Sequence, residues 1–264
     1  MTEIKHVGYG SNMSTKVLSG RRNVHPVQAL PVIVPGYELT FDMAGLPYWE
    51  PGFGAIQPVD KGSAHTIQVS ADDKAAAEDS PLLPVVKRGA TATSGNRVGS
   101  PLHCVAFQIT QHELEHIVNT EAGSGNQDFG YKLVSIPCET YGGQPLIGMT
   151  LVNSEIIATG LHPSPRYLGI LLEGAEEHGL EPEYVARLNS IKPFVAQTLG
   201  QKVAKYLTLV MFLPVFLPVA ACGVAALVFN VKTPRVMAVY NEWVVRGLWG
   251  VHARVFAPVF GRGC

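Results

Sequence analysis

Apolar and polar positions alternate in short runs through the first half of the chain. This pattern predicts β-strands, because alternate side chains of a strand point to opposite faces of a sheet. The predicted strands cover residues 4–9, 29–43, 52–59, 103–110, 131–140 and 145–152. Residues 110–121 and 163–191 instead have patterns that predict helices. Because strands mostly precede helices, the order of elements favours an α+β fold.

A long apolar run follows these elements. Residues 206–231, "YLTLVMFLPVFLPVAACGVAALVFNV", contain no charge between Lys205 and Lys232. A helix needs about 20 apolar residues to span a bilayer core, so the run is long enough. Pro214 and Pro218 argue against a straight helix, although membrane helices tolerate such breaks. We predict membrane association through 206–231; the alternatives are a buried core helix and two short broken segments.

The residues after this run mix aromatic and aliphatic side chains with arginines. Trp243 and Trp249 lie near Arg246 and Arg254. This composition suits a helix in the headgroup region of a membrane, and a packed amphipathic helix is the alternative. The stretch carries five basic residues and one acidic residue, which favours a cytoplasmic C-terminus.

Residues 60–101 are rich in Gly, Ser, Ala, Asp and Pro and lack sustained periodicity. We interpret them as a long, flexible surface insertion. The predicted organisation is therefore one domain over 1–200, with the insertion at 60–101, and a hydrophobic C-terminal region over 201–264. A chain of 264 residues is long enough for such a core.

Charge and cysteine content narrow the class of protein. The chain has 20 basic and 21 acidic residues, a net charge of −1, so we expect no nucleic-acid partner. The four cysteines are Cys104, Cys138, Cys222 and Cys264. They are far apart in sequence, which predicts free thiols in a reducing compartment rather than disulfides or a metal site.

The sequence "HELEH", residues 112–116, satisfies the zinc-peptidase pattern H-E-x-x-H. On a helical wheel, His112 and His116 fall opposite the apolar stripe of Leu114, Ile117 and Val118. We therefore expect both histidines to face solvent, whereas a zinc site needs ligands turned towards a cleft. No third ligand is positioned by the sequence, so a solvated helix face is favoured over zinc.

The same wheel places Glu121 in the middle of the apolar stripe, about 180° from His112. Apolar surroundings and the C-terminal end of a helix both raise the pKa of a carboxylate. A raised pKa suits a group that takes up and returns a proton near neutral pH. The alternative is that the helix frays by Thr120 and Glu121 lies on the surface.

Near the N-terminus, "HVGYGSN" joins the first predicted strand to a turn. Met13 stands where a dinucleotide fingerprint needs its third glycine, and Ser11 lacks the flanking glycines of a serine elbow. Gly10 allows unusual backbone angles, and Ser11 and Asn12 add short polar side chains. Such a turn suits a carboxylate or another anion, although a plain turn would look the same.

Taken together, these segments resemble the γ-glutamylcyclotransferase family over residues 4–195. The similar segments, in chain order, are "GYGSNM", "WEPGFGAIQPV", "LHCVAFQITQHELEHIVNTEAG", "FGYKLVSIPC" and "PSPRYLGILLEGAEEHGLEPEYVARLNSI". The resemblance implies a mixed-sheet, partly closed β-barrel with flanking helices, and a reaction without metal or cofactor. In that reaction the α-amine of a γ-glutamyl group attacks its own γ-carbonyl and releases 5-oxoproline and a free amine.

The resemblance also implies roles for residues. Glu121 would be the general base and then the acid. The N-terminal loop would bind the glutamyl carboxylate and the developing oxyanion through Val7, Gly8, Tyr9, Gly10, Ser11 and Asn12. Tyr131 would line the pocket. One departure is Ala122, which stands where the family usually has glycine.

The insertion and the C-terminal region resemble fungal members that act on glutathione adducts in sulfur-containing peptide-toxin biosynthesis. That resemblance implies a cytoplasmic catalytic domain, anchored to a membrane by the C-terminal region, and a small-molecule γ-glutamyl peptide as partner. A hairpin-like or interfacial tail would reconcile this location with the charge of the C-terminus. Two alternatives stay open: a zinc-dependent peptidase using HELEH, and a non-catalytic γ-glutamyl-binding module.

Overall fold

A computed structural model describes residues 3–59, 98, 101–121, 131–153, 156–229 and 235–264. Most of the insertion predicted at 60–101 therefore lies outside the described residues. Seven strands are present in these ranges. They are β1 (Glu3–Gly8), β2 (Gln28–Val34), β3 (Tyr37–Leu46), β4 (Glu50–Pro58), β5 (Leu102–Thr110), β6 (Tyr131–Thr140) and β7 (Pro145–Asn153).

Five of these strands form a closed barrel in the order β1-β5-β2-β6-β7. The β1–β7 pair is parallel and the other pairs are antiparallel, so the sheet is mixed. β3 and β4 form a separate two-stranded antiparallel sheet. The expected α+β fold with a mixed-sheet barrel is confirmed, and the barrel is closed rather than partly closed.

The seam between β1 and β7 closes the barrel. A side chain at Gly148 would overlap the Val7 side chain, so the glycine allows the two strands to approach. The Thr150 hydroxyl donates to the Val7 carbonyl at 2.7 Å, and the Tyr9 hydroxyl donates to the Leu151 carbonyl at 2.6 Å. These buried hydrogen bonds fix the end of β1 and the residues that follow it.

The helix α1 (Gln111–Glu121) begins directly after β5. The Thr110 hydroxyl accepts from the Glu113 amide at 3.2 Å, while the Glu113 carboxylate accepts from the Thr110 amide at 2.9 Å. This reciprocal capping box satisfies helix-end donors and fixes where the helix starts. Leu114 and Ile117 are buried, and Val118 packs against the same core, as the helical wheel predicts.

The segment predicted as helical over 163–191 forms two helices, α2 (Pro165–Glu177) and α3 (Pro182–Asn189). Gly179 separates them with a φ of 63°, and the Leu180 amide donates back to the Ala175 carbonyl at 2.9 Å. A left-handed glycine after the last turn is a common helix stop. Ser164 caps the start of α2 by accepting from the Tyr167 amide at 3.0 Å.

The C-terminal region consists of α4 (Leu199–Phe229), α5 (Arg235–Val251), a wider helical turn at His252–Phe256 and α6 (Ala257–Phe260). Its last residues pack on the turn between β3 and β4. There the Tyr48 amide donates to the Gly263 carbonyl and the Tyr48 hydroxyl to the Gly261 carbonyl, each at 2.7 Å. Trp249 is buried and donates to the Gly45 carbonyl at 3.0 Å.

The residues after the apolar run form a helix with one packed face, which is the alternative to the predicted headgroup helix. One face of α5 is packed, since Val244, Leu248 and Trp249 are buried. Trp243, on another face, is 70% exposed. α5 is therefore an amphipathic helix that packs against the rest of the protein, and its place in a headgroup region stays a prediction.

α4 contains a stretch, Leu199–Cys222, that is long and apolar enough to cross a membrane. Its mean hydropathy is 1.9 and 11% of it is buried. Pro214 and Pro218 lie inside the helix without ending it. The Tyr240 hydroxyl of α5 donates to the Val215 carbonyl between them at 3.0 Å, which ties α5 to α4 at this point.

Candidate active site

A cavity of about 570 Å³ opens where β1 leaves the barrel. Residues from seven elements and from the loop after β1 line it. The lining residues are His6, Val7, Gly8, Tyr9, Gly10, Ser11, Asn12, Arg22, Met43, Glu50, Phe53, Gly54, His116, Tyr131, Thr150, Leu151, Arg166, Tyr167 and Ile170.

The binding residues expected from the sequence lie together at this cavity. Val7 to Asn12 form one wall, and Tyr131, at the start of β6, belongs to the same lining. Glu121 is the last residue of α1, the helix that contributes His116 to the cavity. The side chain of Glu121 lies outside the described part of the structure, as do residues 122–130.

The loop after β1 is held in a tight turn. The Gly10 carbonyl accepts from the Met13 amide at 3.0 Å, and the Ser11 carbonyl accepts from the Ser14 amide at 3.2 Å. A Cβ at Gly8 would lie 2.9 Å from the Asn12 carbonyl oxygen, closer than real Cβ atoms approach backbone. Gly8 is therefore required by the close approach of the turn to the end of β1.

Tyr167 lies against this loop in the wall of the cavity. Its buried hydroxyl accepts a hydrogen bond from the Gly54 amide at 2.9 Å. A Cβ at Gly10 would lie 3.0 Å from that hydroxyl, and a Cβ at Gly54 would lie 2.9 Å from it. Both glycines thus make room for the tyrosine. Tyr167 belongs to the last of the similar segments, "PSPRYLGILLEGAEEHGLEPEYVARLNSI", but the resemblance implied no role for it in the site.

An ion pair joins β4 to α2 at the cavity wall. The Arg166 guanidinium donates through Nε and Nη2 to the two carboxylate oxygens of Glu50, at 2.7 and 2.8 Å. The Ser164 hydroxyl also donates to Glu50, at 2.8 Å. Glu50 is mostly buried whereas Arg166 is largely exposed, so the arginine presents its free edge to solvent and the cavity. No local sequence pattern predicts this pair, because its partners are 116 residues apart in the chain.

Arg22 adds a second cation to the lining. Its Nε donates to Asn12 Oδ1 at 2.9 Å, so the side-chain amide oxygen of Asn12 already accepts a hydrogen bond within the protein. His6 lies near enough for the charge of Arg22 to act on it. Burial is the larger effect, and the two together lower the pKa of His6 from 6.5 to about 4. His6 is therefore neutral near pH 7.

HELEH does not place both histidines in solvent. His112 is exposed as expected, but His116 is half-buried and lines the cavity, so that part of the prediction is wrong. The helical wheel correctly predicted the buried apolar stripe. It could not predict that a cavity lies against the polar face of the helix at His116. Among the described residues, no group of three His, Cys, Asp or Glu side chains could hold a metal ion.

The glutamate of the same motif has a structural role. Glu113 accepts from the Thr110 amide and hydroxyl and, at 3.0 Å, from the His25 amide. Burial opposes ionisation of this carboxyl, but these hydrogen bonds outweigh it and lower the pKa of Glu113. A carboxylate with a lowered pKa and filled acceptor positions is poorly suited to act as a general base.

The chain is similar to known proteins in sequence and in fold. Residues 101–188 match the model of the AIG2-like family. The chain is 27% identical to the γ-glutamyl cyclotransferase aclK of Aspergillus oryzae, over 98% of this chain and 89% of the relative. It is 25% identical to the γ-glutamyl cyclotransferase gliK of Aspergillus fumigatus, over 98% and 89%.

A solved structure of a γ-glutamyl cyclotransferase has the same fold, with a TM-score of 0.51 and 15% identity. The alignment covers 78% of this chain and 99% of the solved one. At that identity the likeness concerns the fold alone.

Proposed function

We propose that this chain is a γ-glutamyl cyclotransferase, because residues 101–188 match the AIG2-like family and the whole chain is similar to two fungal γ-glutamyl cyclotransferases. The substrate is a small γ-glutamyl peptide, and the products are 5-oxoproline and a free amine. The observation that supports these roles is that one cavity is lined both by the tight loop after β1 and by His116 of α1, the helix whose last residue is Glu121.

The proposed reaction begins with the α-ammonium of the γ-glutamyl group. Glu121 takes one proton from it, and the resulting amine attacks the γ-carbonyl carbon of the same residue. A new C–N bond closes a five-membered ring, and the original γ-amide C–N bond breaks. The proton held by Glu121 passes to the departing nitrogen. The ring nitrogen gives up its second proton, which ends on the released amine as its ammonium form, so Glu121 returns to its starting state and no oxidant, metal or cofactor is consumed.

Most of the rate enhancement in such a reaction comes from geometry. The attacking amine and the carbonyl belong to one molecule, so holding the glutamyl chain in a folded conformation supplies the entropy of ring closure. The loop from Val7 to Asn12 is proposed to do this by binding the α-carboxylate and the developing oxyanion. The turn itself uses the amides of Met13 and Ser14, so donors to the substrate must come from earlier residues of the loop.

The leaving amine belongs to the part of the substrate that extends towards solvent. A cavity of about 570 Å³ is within the range of pockets for drug-sized ligands, so it has room for more than a γ-glutamyl group. Arg166 lies on its wall with most of its side chain exposed. We propose glutathione-derived conjugates as substrates, since their second carboxylate would find this cation.

The C-terminal region is proposed to hold the catalytic domain, residues 1–200, against a membrane. α4 supplies an exposed apolar surface that includes Val210, Leu217 and Val224. The region also packs on the turn between β3 and β4. β4 follows this turn and contributes Glu50 and Phe53 to the cavity lining. A cytoplasmic location of the cavity agrees with the cellular location of glutathione-type substrates.

Product analysis tests the proposal. Purified protein is incubated with γ-glutamylcysteine, glutathione and S-substituted glutathione, and 5-oxoproline is measured by mass spectrometry. Glu115→Gln is the matched control for Glu121→Gln, because Glu115 is an exposed carboxylate on the same helix. We expect the wild type and Glu115→Gln to release 5-oxoproline and Glu121→Gln to release almost none. Binding of a γ-glutamyl peptide without turnover in the wild type would instead indicate a non-catalytic binding module.

A further inference from the structure

His6 is a buried polar side chain in the wall of the cavity. It lies in β1, where it pairs with Phe107 of β5 and Met149 of β7, and its exposed fraction is 1%. The ring lies beside the Met149 backbone, yet neither ring nitrogen has a hydrogen-bond partner of acceptable geometry within the described residues. Burying unpaired nitrogens costs free energy, so the fold alone does not account for a histidine here.

Other buried histidines of the described chain have partners. His103 Nδ1 lies 2.7 Å from the Tyr141 hydroxyl, and His252 Nε2 accepts from the Gly263 amide at 3.2 Å. Neither of these histidines lines the cavity. The residue that does is also the one whose two nitrogens are both unpaired, which indicates that a bound molecule supplies the partner.

The groups around His6 indicate which part of a ligand it meets. Arg22, the nearest charge that acts on the ring, is cationic, and His116 of α1 lines the same cavity. The Glu50 carboxylate is already occupied by Arg166 and Ser164. A cationic environment repels an ammonium group and attracts a carboxylate, and a neutral imidazole has one N–H to donate.

We propose that His6 is a specificity-determining residue that donates a hydrogen bond to the α-carboxylate of the γ-glutamyl group, beside Arg22. This inference rests on the proposed cyclotransferase function and adds a side chain to a subsite that the loop after β1 otherwise forms from backbone. His6 takes no part in proton transfer. Its effect is to favour substrates that carry the carboxylate and to hold the glutamyl chain in place for ring closure.

A substrate-binding role for His6 and a purely structural role predict different changes in melting temperature and in kcat/KM. Replacing His6 with leucine removes the unpaired nitrogens and keeps the volume apolar, so the melting temperature should rise by a few degrees. The same change should lower kcat/KM. His103→Leu is the matched control: it breaks an existing hydrogen bond outside the cavity, so it should lower the melting temperature and leave kcat/KM within about twofold.

Two substrates make the test specific to the carboxylate. One is the γ-glutamyl peptide that the wild type converts fastest, and the other is its 4-aminobutanoyl counterpart, which lacks only the α-carboxylate and cyclises to 2-pyrrolidinone. We expect His6→Leu to lose about 10- to 100-fold in kcat/KM on the first, as for a lost hydrogen bond to a charged group, and less than about threefold on the second. His6→Gln, which keeps an N–H donor, should recover part of the loss. If the counterpart reacts too slowly, its inhibition constant gives the same comparison.

Equal losses on both substrates, or a lower melting temperature for His6→Leu together with unchanged kinetics, would overturn the inference. Either result would leave the cyclotransferase function intact, since 5-oxoproline would still form. Absence of 5-oxoproline from the wild type with every γ-glutamyl peptide would instead refute the proposed function. The two failures are therefore distinguishable.

Discussion

The stability of this protein should depend on the protonation of His6. The pKa of His6 is about 4 in the folded chain and 6.5 in an unfolded one. Between these values the unfolded state binds a proton that the folded state does not. Stability from the neutral ring is therefore fully present above pH 6.5 and is lost as the pH falls towards 4.

The size of the effect follows from the two pKa values. One pKa unit corresponds to about 1.4 kcal/mol, so the full shift is worth about 3.4 kcal/mol. At pH 4.5, where the folded form is still mostly neutral, about 2.5 kcal/mol of the free energy of unfolding should be lost relative to pH 7.5. Burial also lowers the pKa of His103 and His252, and both contribute in the same direction.

The comparison of wild type with His6→Leu isolates this residue. Urea unfolding at pH 7.5 and pH 4.5 gives the free energy of unfolding of each protein at each pH. The contributions of His103, His252 and the carboxylates cancel in the difference between the two proteins. We expect the variant to lose about 2.5 kcal/mol less than the wild type on acidification. The same loss in both proteins would refute a neutral, buried His6.

Three other substitutions test the cavity wall and the first turn of α1. Gly8→Ala places a Cβ 2.9 Å from the Asn12 carbonyl oxygen, so kcat/KM should fall at least tenfold. Its control, Gly20→Ala, has open space around the new Cβ and should keep a kcat/KM near that of the wild type. Equal kcat/KM values for the two variants would contradict the close approach that requires glycine at position 8. Tyr167→Phe leaves the buried Gly54 amide without its acceptor, so the free energy of unfolding, measured by urea denaturation, should fall by about 1–3 kcal/mol. An unchanged free energy of unfolding would indicate that water replaces the hydroxyl. Glu113→Gln weakens the capping box and should lower the free energy of unfolding by about 1 kcal/mol, while 5-oxoproline release persists. Loss of all activity in a folded Glu113→Gln protein would instead support the peptidase interpretation.

The strands and the first helix were predictable because their signals are local. Alternation located four of the five barrel strands within one or two residues but merged β2 and β3 into one run over 29–43. The helical wheel of α1 placed Leu114 and Ile117 on the buried face. The division of 163–191 at Gly179 was missed, since a glycine inside a helical pattern is often tolerated and its φ of 63° depends on how the next helix packs. The separation of β3 and β4 from the barrel also depends on packing.

The candidate site was predictable only where one segment carries it. The loop from Val7 to Asn12 is contiguous and has a recognisable composition, so its place at the cavity could be expected. His6 and Arg22 have no such signal: one is a polar residue in a strand and the other lies beyond a turn. The Glu50–Arg166 pair joins positions 116 residues apart, which no local pattern reveals.

The central claim, that Glu121 transfers the proton in a cyclisation at this cavity, is tested most directly by 5-oxoproline release from wild type and Glu121→Gln. The assay uses glutathione and S-substituted glutathione, with Glu115→Gln as control and circular dichroism to confirm folding. We expect a loss of at least about 100-fold in Glu121→Gln, in line with removal of a general base, and wild-type rates in Glu115→Gln. Undiminished 5-oxoproline release from folded Glu121→Gln would contradict the assignment.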